Sequence, residues 1–135
     1  MADYQDTSAD KVFSGQYCMT ELDHGLDIIN METTATMMSN GEWDLHTPHD
    51  RAAKYASSPT DSSLESDDHC RYMPPTSPVG IPCVAVVYAR AMVNGVFHGI
   101  KPFFVPLHNG VRPYTGITIV SVLHPLFRAA HLTFT

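Results

Sequence analysis

An all-β domain is the fold class this sequence predicts, and two observations carry it. Asn-Gly dipeptides at Asn40-Gly41, Asn94-Gly95 and Asn109-Gly110 suit the type I′ hairpin turn, because both residues tolerate positive φ, and strand-forming residues flank each of them. Residues 83–93, CVAVVYARAMV, form an almost unbroken apolar run that Val84, Val86, Val87 and Tyr88 make too β-rich for a helix.

Taken in order, residues 1–16 are polar and read as a flexible N-terminal segment. Residues 18–27, CMTELDHGLD, form a polar, Gly-containing turn ahead of a strand and have the character of a cofactor-facing loop. Residues 32–38 and 42–46 then bracket Asn40-Gly41 as a first hairpin, with Thr34 and Thr36 on one face. Residues 83–93 read as a strand buried on both faces. After Asn94-Gly95 the return strand runs from Val96 to Leu107, where Pro102 and Pro106 restrict ladder pairing to an edge or to the ends. The residues after Ile119 are apolar and lack turn signals, so 119–135 is a tail that the pattern alone does not place.

Between the hairpins, residues 56–71 read ASSPTDSSLESDDHCR, with Leu64 as their one large apolar side chain. Such a block buries too little surface to offset its ordering entropy and is expected to be a disordered loop. Tyr55 precedes it and Tyr72 ends it, and removing 56–72 rejoins the chain as AAKYMPPTSPVG. The block therefore reads as an insertion into an older continuous segment.

Composition narrows the function classes. With 135 residues, 44% hydrophobic and 16% charged, the chain matches one ordinary globular domain. The formal charge is −6, and all 14 acidic residues lie at or before Asp68, while Arg71, Arg90, Lys101, Arg112 and Arg128 follow it singly. No Lys/Arg cluster forms, which argues against nucleic-acid binding. Cys18, Cys70 and Cys83 are too few and too widely spaced for a disulfide framework, and no basic-then-apolar leader opens the chain, so a reducing intracellular compartment is expected. No apolar run has the length of about 20 residues that spans a bilayer, and the last three residues, Thr133 to Thr135, carry no peroxisomal address.

From Tyr17 to about Thr118, leaving out the insertion, the chain resembles the central β-domain of the acyl-CoA oxidase and acyl-CoA dehydrogenase superfamily, the oxidase branch most of all. The resemblance rests on CMTELDHG at 18–25, METTAT at 31–36, LHTP at 45–48, Lys54-Tyr55 and the strand pair at 83–107. It implies a small antiparallel β-barrel whose loops face FAD, an acyl-CoA substrate, fatty-acid β-oxidation in a peroxisome or mitochondrion, and a homo- or hetero-oligomer. By resemblance Thr20 donates to the flavin, Gly25 lets the backbone pass close to it, and Tyr55 or Tyr72 supplies an adjacent aromatic ring. One departure is Leu26, where the family commonly has Ser or Thr. The family's catalytic carboxylate lies in a C-terminal helical domain outside these residues, and the family's use of the position of Glu21 is in the flavin loop. Self-sufficient catalysis is therefore not expected, since removing an α-proton needs a base while the flavin takes the β-hydride.

The remaining chemistry-bearing residues read as structural. His46, His49 and His69 beside Cys70 lack the paired spacing of a zinc site and are read as solvated or turn residues. Asp61, Glu65, Asp67 and Asp68 lack the spacing of a calcium loop. Cys18 and Cys83, with no neighbouring base, read as small core residues. Two further readings stay open: a non-enzymatic interaction module that uses the apolar 120–135 stretch, and an unstable truncated product.

Overall fold

The computed structural model describes residues 12–58, 78, 80–124 and 127–135. Eight strands form among them: β1 (Ser14–Cys18), β2 (Thr34–Met37), β3 (Trp43–His46), β4 (Lys54–Ser58), β5 (Cys83–Val93), β6 (Val96–His108), β7 (Ile117–His124) and β8 (Phe127–Phe134). Short 3-10 turns at Ile28–Asn30 and Asp50–Ala52 are the only helical pieces among the described residues. The all-β expectation holds.

Both predicted hairpins are present. β2 pairs with β3 in antiparallel register, Thr34 opposite His46 and Met37 opposite Trp43. β5 pairs with β6, and Asn94 and Gly95 both take positive φ, 51° and 77°, which fits the right-handed twist of the strands they join. The other two Asn-Gly pairs place only their glycine at positive φ and so are not type I′ turns. At Asn109 the side-chain Oδ1 accepts from the Val111 and Arg112 amides, 2.9 and 3.0 Å, and this local bond shapes the turn instead.

β5 is the hub of the larger sheet. One edge carries β6 in antiparallel pairing, and the other carries β1 and then β2, both parallel to it. Among the described residues β6 has β5 as its single partner strand, so Pro102 and Pro106, opposite Tyr88 and Val84, remove no N–H that a second neighbour there would need. The small sheet has the order β4-β8-β7, all antiparallel.

One expectation is corrected here, and two others gain detail. The larger sheet is mixed and the small one antiparallel, and no closed barrel is found among the described residues. The parallel pairs of the larger sheet follow from its connections: β1 and β2 are joined by residues 19–33, a crossover long enough to return the chain parallel, where a tight turn would reverse it. Next, β5 is not buried on both faces. Cys83, Ala85, Val87, Ala89 and Ala91 point inward, whereas Val84, Val86, Tyr88, Arg90 and Met92 are half-buried on the other side. Finally, residues 119–135 are largely strand. β7 and β8 pair through Ile117–Phe134 and the neighbouring residues, and β8 then pairs with β4. The insertion at 56–72 lies outside the described residues except for its first three, 56–58, which close β4. β1 begins at Ser14, inside the segment expected to be flexible.

The core lies where the sheets meet. Cys18, Cys83, Ala85, Val87 and Leu107 come from the larger sheet, Leu132 and Phe134 from β8, with Leu45, Val105, Ile117 and Ile119 packed around them. β5 contributes small side chains, and the bulk comes from Leu107, Leu132 and Phe134. Two stitches cross between the sheets. The Thr47 amide donates to the Phe134 carbonyl at 2.8 Å while the Phe134 amide donates to Thr47 Oγ1 at 3.0 Å. On the other side Glu21 and Lys54 form an antiparallel bridge.

Backbone contact also fixes the approach to β5. The Gly80 amide donates to the Gly110 carbonyl at 2.7 Å, and a Cβ on Gly110, whose φ is +95°, would sit 2.8 to 2.9 Å from backbone atoms of Gly80 and Ile81. Gly110→Ala is expected to cost about 3 kcal/mol or more, since neither strain nor overlap can relax there. Gly25→Ala, at φ +48° with nothing within 4 Å of its Cβ, is expected to cost about 1 kcal/mol. Urea unfolding of the two variants measures the difference, and equal losses would contradict the packing assigned to Gly110.

Candidate functional site

The loop after β1 is held by one buried carboxylate. Glu21, 2% exposed, accepts hydrogen bonds from the Glu32 amide (2.8 Å), the Thr33 amide (2.8 Å), the Thr33 hydroxyl (2.6 Å) and Lys54 Nζ (3.1 Å). Lys54 is fully buried and also donates to the Met19 carbonyl at 3.1 Å. The sequence places these groups well. Ala52 and Ala53 are small and buried ahead of Lys54, so its aliphatic stem runs inward where the first turn can meet its charge.

Burial alone would raise the Glu21 pKa, but the Thr33 hydroxyl, the two amides and the Lys54 ammonium outweigh it and hold the carboxyl below its ordinary value. Lys54 is pulled down by burial and partly restored by Glu21. With four donors on Glu21, the ionised carboxylate is the form this site holds. That makes it a structural acceptor.

The same bridge sets Thr20 beside Tyr55. The Tyr55 amide donates to the Thr20 carbonyl at 2.8 Å, and the Leu22 amide donates to the Ala53 carbonyl at 3.1 Å. Thr20 is half-buried, and among the described residues no hydrogen bond engages its hydroxyl. The Tyr55 ring is half-buried, 6.2 Å from the His131 ring across the β4–β8 pair. Gly25 closes the turn, its amide donating to the Glu21 carbonyl at 3.3 Å. Positive φ, and not a close contact, is what calls for glycine here. Leu26 is 99% exposed. Tyr72 lies outside the described residues.

Thr20, Gly25 and Tyr55 are thus brought to one loop cluster: a hydroxyl available to donate, a backbone with open space beside it, and an aromatic ring. Grooves among the described residues lie elsewhere, including one of about 640 Å³ beside Phe13, Tyr17 and Phe104 and one of about 780 Å³ beside Trp43, Phe103 and Ile117.

The other sequence candidates fall as follows. Cys18 and Cys83 are buried thiols, and burial pushes Cys18 up to about 12, which removes it as a nucleophile. His46 is exposed on β3, and His49 contacts Glu32 at 2.6 Å. Among the described residues no group of His, Cys, Asp and Glu has the arrangement of a metal site. His69, Cys70 and the acidic residues 61–68 lie outside the described residues. Sequence reasoning missed Lys54 and Thr33 as partners of Glu21. The available signal was Lys54 itself, a lone cation between two alanines and strand residues.

No protein-family model matches the chain. Its sequence is 35% identical over 105 residues to an acyl-coenzyme A oxidase of Komagataella pastoris, covering 72% of this chain and 12% of that enzyme. This chain is homologous to one segment of the acyl-coenzyme A oxidases. Peroxisomal acyl-coenzyme A oxidase 1 of Arabidopsis thaliana is 34% identical over 99 residues, covering 70% of this chain and 12% of the plant enzyme. In three dimensions, acyl-CoA oxidase-1 of Caenorhabditis elegans, solved in complex with FAD and ATP, matches 90% of this chain and 17% of its own with a TM-score of 0.68 and 29% identity. The chain therefore spans about an eighth of the length of the acyl-coenzyme A oxidases its sequence matches.

The Glu21–Lys54 pair generates a stability prediction. Lys54→Met leaves an anion buried without its counter-charge and is expected to cost about 3–5 kcal/mol, whereas adding Glu21→Gln to it should recover part of that loss. Glu21 has its pKa depressed in the folded state, so its stabilisation is present above the ordinary carboxylate value and is lost as pH falls through the lower folded value. Lys54→Met removes one cause of that depression. The acid-unfolding midpoint, followed by circular dichroism, should move to higher pH.

Proposed function

We propose that this chain is an FAD-facing central β-domain of a flavin-dependent acyl-CoA oxidase, an oxidoreductase acting on the CH–CH bond of an acyl thioester in fatty-acid β-oxidation. The observation that carries this reading is the Thr20 loop: among the described residues no hydrogen bond engages its hydroxyl, while its carbonyl is tied to Tyr55 and its neighbour Glu21 is locked by four donors. A donor on a loop so constrained is pre-organised for a bound ligand, which lowers the ordering cost of binding. Homology to acyl-coenzyme A oxidases and the likeness to the FAD-containing Caenorhabditis elegans structure support flavin as that ligand.

When bound, a flavin supplies the acceptor for the hydride leaving the acyl β-carbon. The chain's own residues bind and orient: Thr20 donates to the ring edge, and Tyr55 lies beside it. No catalytic base is assigned among these residues. Glu21 is saturated by its donors and Glu32 is held by two imidazoles. These 135 residues by themselves are accordingly not expected to turn over acyl-CoA. The peroxisome, named for the Arabidopsis thaliana relative, is the compartment proposed for the intact protein.

The test is a visible absorption spectrum of the purified chain after FAD has been added and the excess removed. A retained flavin spectrum is expected, with Thr20→Val weakening binding about tenfold, the loss of one hydrogen bond. Colourless protein would overturn the cofactor site. Turnover of acyl-CoA with an electron acceptor by the chain alone would overturn the assignment of no base.

A further inference from the structure

Residue 32 is tied to the Thr20 loop twice. Its amide donates to Glu21 Oε2 at 2.8 Å, and its carboxylate accepts from two histidines that come from different parts of the chain. His24 Nε2 lies 2.7 Å from Oε1, and His49 Nε2 lies 2.6 Å from Oε2. His24 sits three residues after Glu21 in the same turn, with its Nε2 4.0 Å from the Glu21 carboxylate. His49 precedes the 3-10 turn Asp50–Ala52 that leads into Lys54. One carboxylate therefore clasps the turn at 21–25 to the segment ahead of β4, outside the buried Glu21–Lys54 pair.

We propose that Glu32 is a positioning residue for the Thr20 loop, and that its contact with the His24 imidazole makes the position of that loop sensitive to pH near neutrality. The link to flavin rests on the function proposed above, whereas the clasp itself rests on the geometry alone. Each oxygen of Glu32 takes one Nε2–H, a contact available to the neutral Nε2–H tautomer and strengthened when the ring is cationic. His24, bonded to the half-buried Glu32 carboxylate, is the type of group whose charge changes within the physiological range.

The sign follows from the neighbours. The Glu32 hydrogen bond raises the His24 pKa, burial opposes it, and the charges of Glu21, Glu32 and Asp27 add to the rise. Glu32 is lowered by its bonds to His24 and His49. The His24 contribution is thus present in full below the ordinary histidine value and is lost as pH rises through the higher folded value. The Glu32 contribution is lost only when pH falls through its own depressed value, well into the acid range. The other charged groups on these elements are Asp23, paired with Arg51, together with Asp50 and Lys54, the latter paired with Glu21.

Nuclear magnetic resonance titration of the whole chain between about pH 5 and 9 tests this, reading the His24 and His49 rings with the Thr20 and Gly25 amides. In the unaltered chain the His24 midpoint should lie above the ordinary histidine value, and both amides should shift with that same midpoint. Glu32→Gln should move the His24 midpoint downward and flatten the amide response, and Glu32→Asp should restore part of both. Amides that stay flat through the His24 midpoint in the unaltered chain would overturn the proposal, a result that does not depend on any variant folding. None of these readouts uses flavin. Failure to bind FAD with the titration intact would remove the cofactor reading and leave the clasp standing; flavin binding with flat amides would remove the clasp alone.

Discussion

The buried pair of Glu21 and Lys54 is the constraint on which the rest of this structure depends. It lies where the chain leaves one sheet and meets the other, so its hydrogen bonds set how β1, the start of β2 and β4 sit relative to one another. A fully desolvated ammonium and carboxylate gain little net stability over an apolar pair of similar volume. What they contribute is selectivity among arrangements. Any register that separates them leaves a charge in the core, so competing pairings of β4 are penalised far more than the native one is favoured.

That selectivity reaches the candidate site directly. Thr20 is adjacent to Glu21 and Tyr55 adjacent to Lys54, so locking the charged pair places their backbones as hydrogen-bonded neighbours. A site formed by loops normally lacks the precision of one built on strands. Here the loop borrows rigidity from a strand residue 33 positions away.

Much of the fold was legible in the sequence, for identifiable reasons. The β5–β6 hairpin announced itself through Asn94-Gly95, where both residues adopt the φ values that the dipeptide favours. The exposed edge of β6 was legible in Pro102 and Pro106. What the sequence did not reveal depends on partners remote along the chain. β5 looked buried on both faces because its outward residues, Val84, Val86 and Tyr88, are apolar too, and apolarity does not say which side another sheet covers. β7 and β8 lacked any turn signal, so the pairing of Lys54 with Leu132 had no local cue. Of the candidate site, Thr20, Gly25 and Tyr55 were named through resemblance alone, whereas Lys54 and Thr33 were invisible because their roles exist only once Glu21 has been buried between them.

The position of β8 in the middle of the small sheet has a consequence for how the chain reaches this state. β4 is made early, yet its partner strand pairs Lys54 with Leu132, 78 residues further along, and so is available only late in synthesis. Until β8 arrives, β4 has an unpaired edge and Lys54 no interior in which to be buried. The late arrival of β8 is then the step that desolvates the ammonium, so the ion pair and the small sheet form together. Folding of this chain should be slow for its size, with its rate governed by the encounter of the two most distant strands of the small sheet and not by the local hairpins, which can close within microseconds.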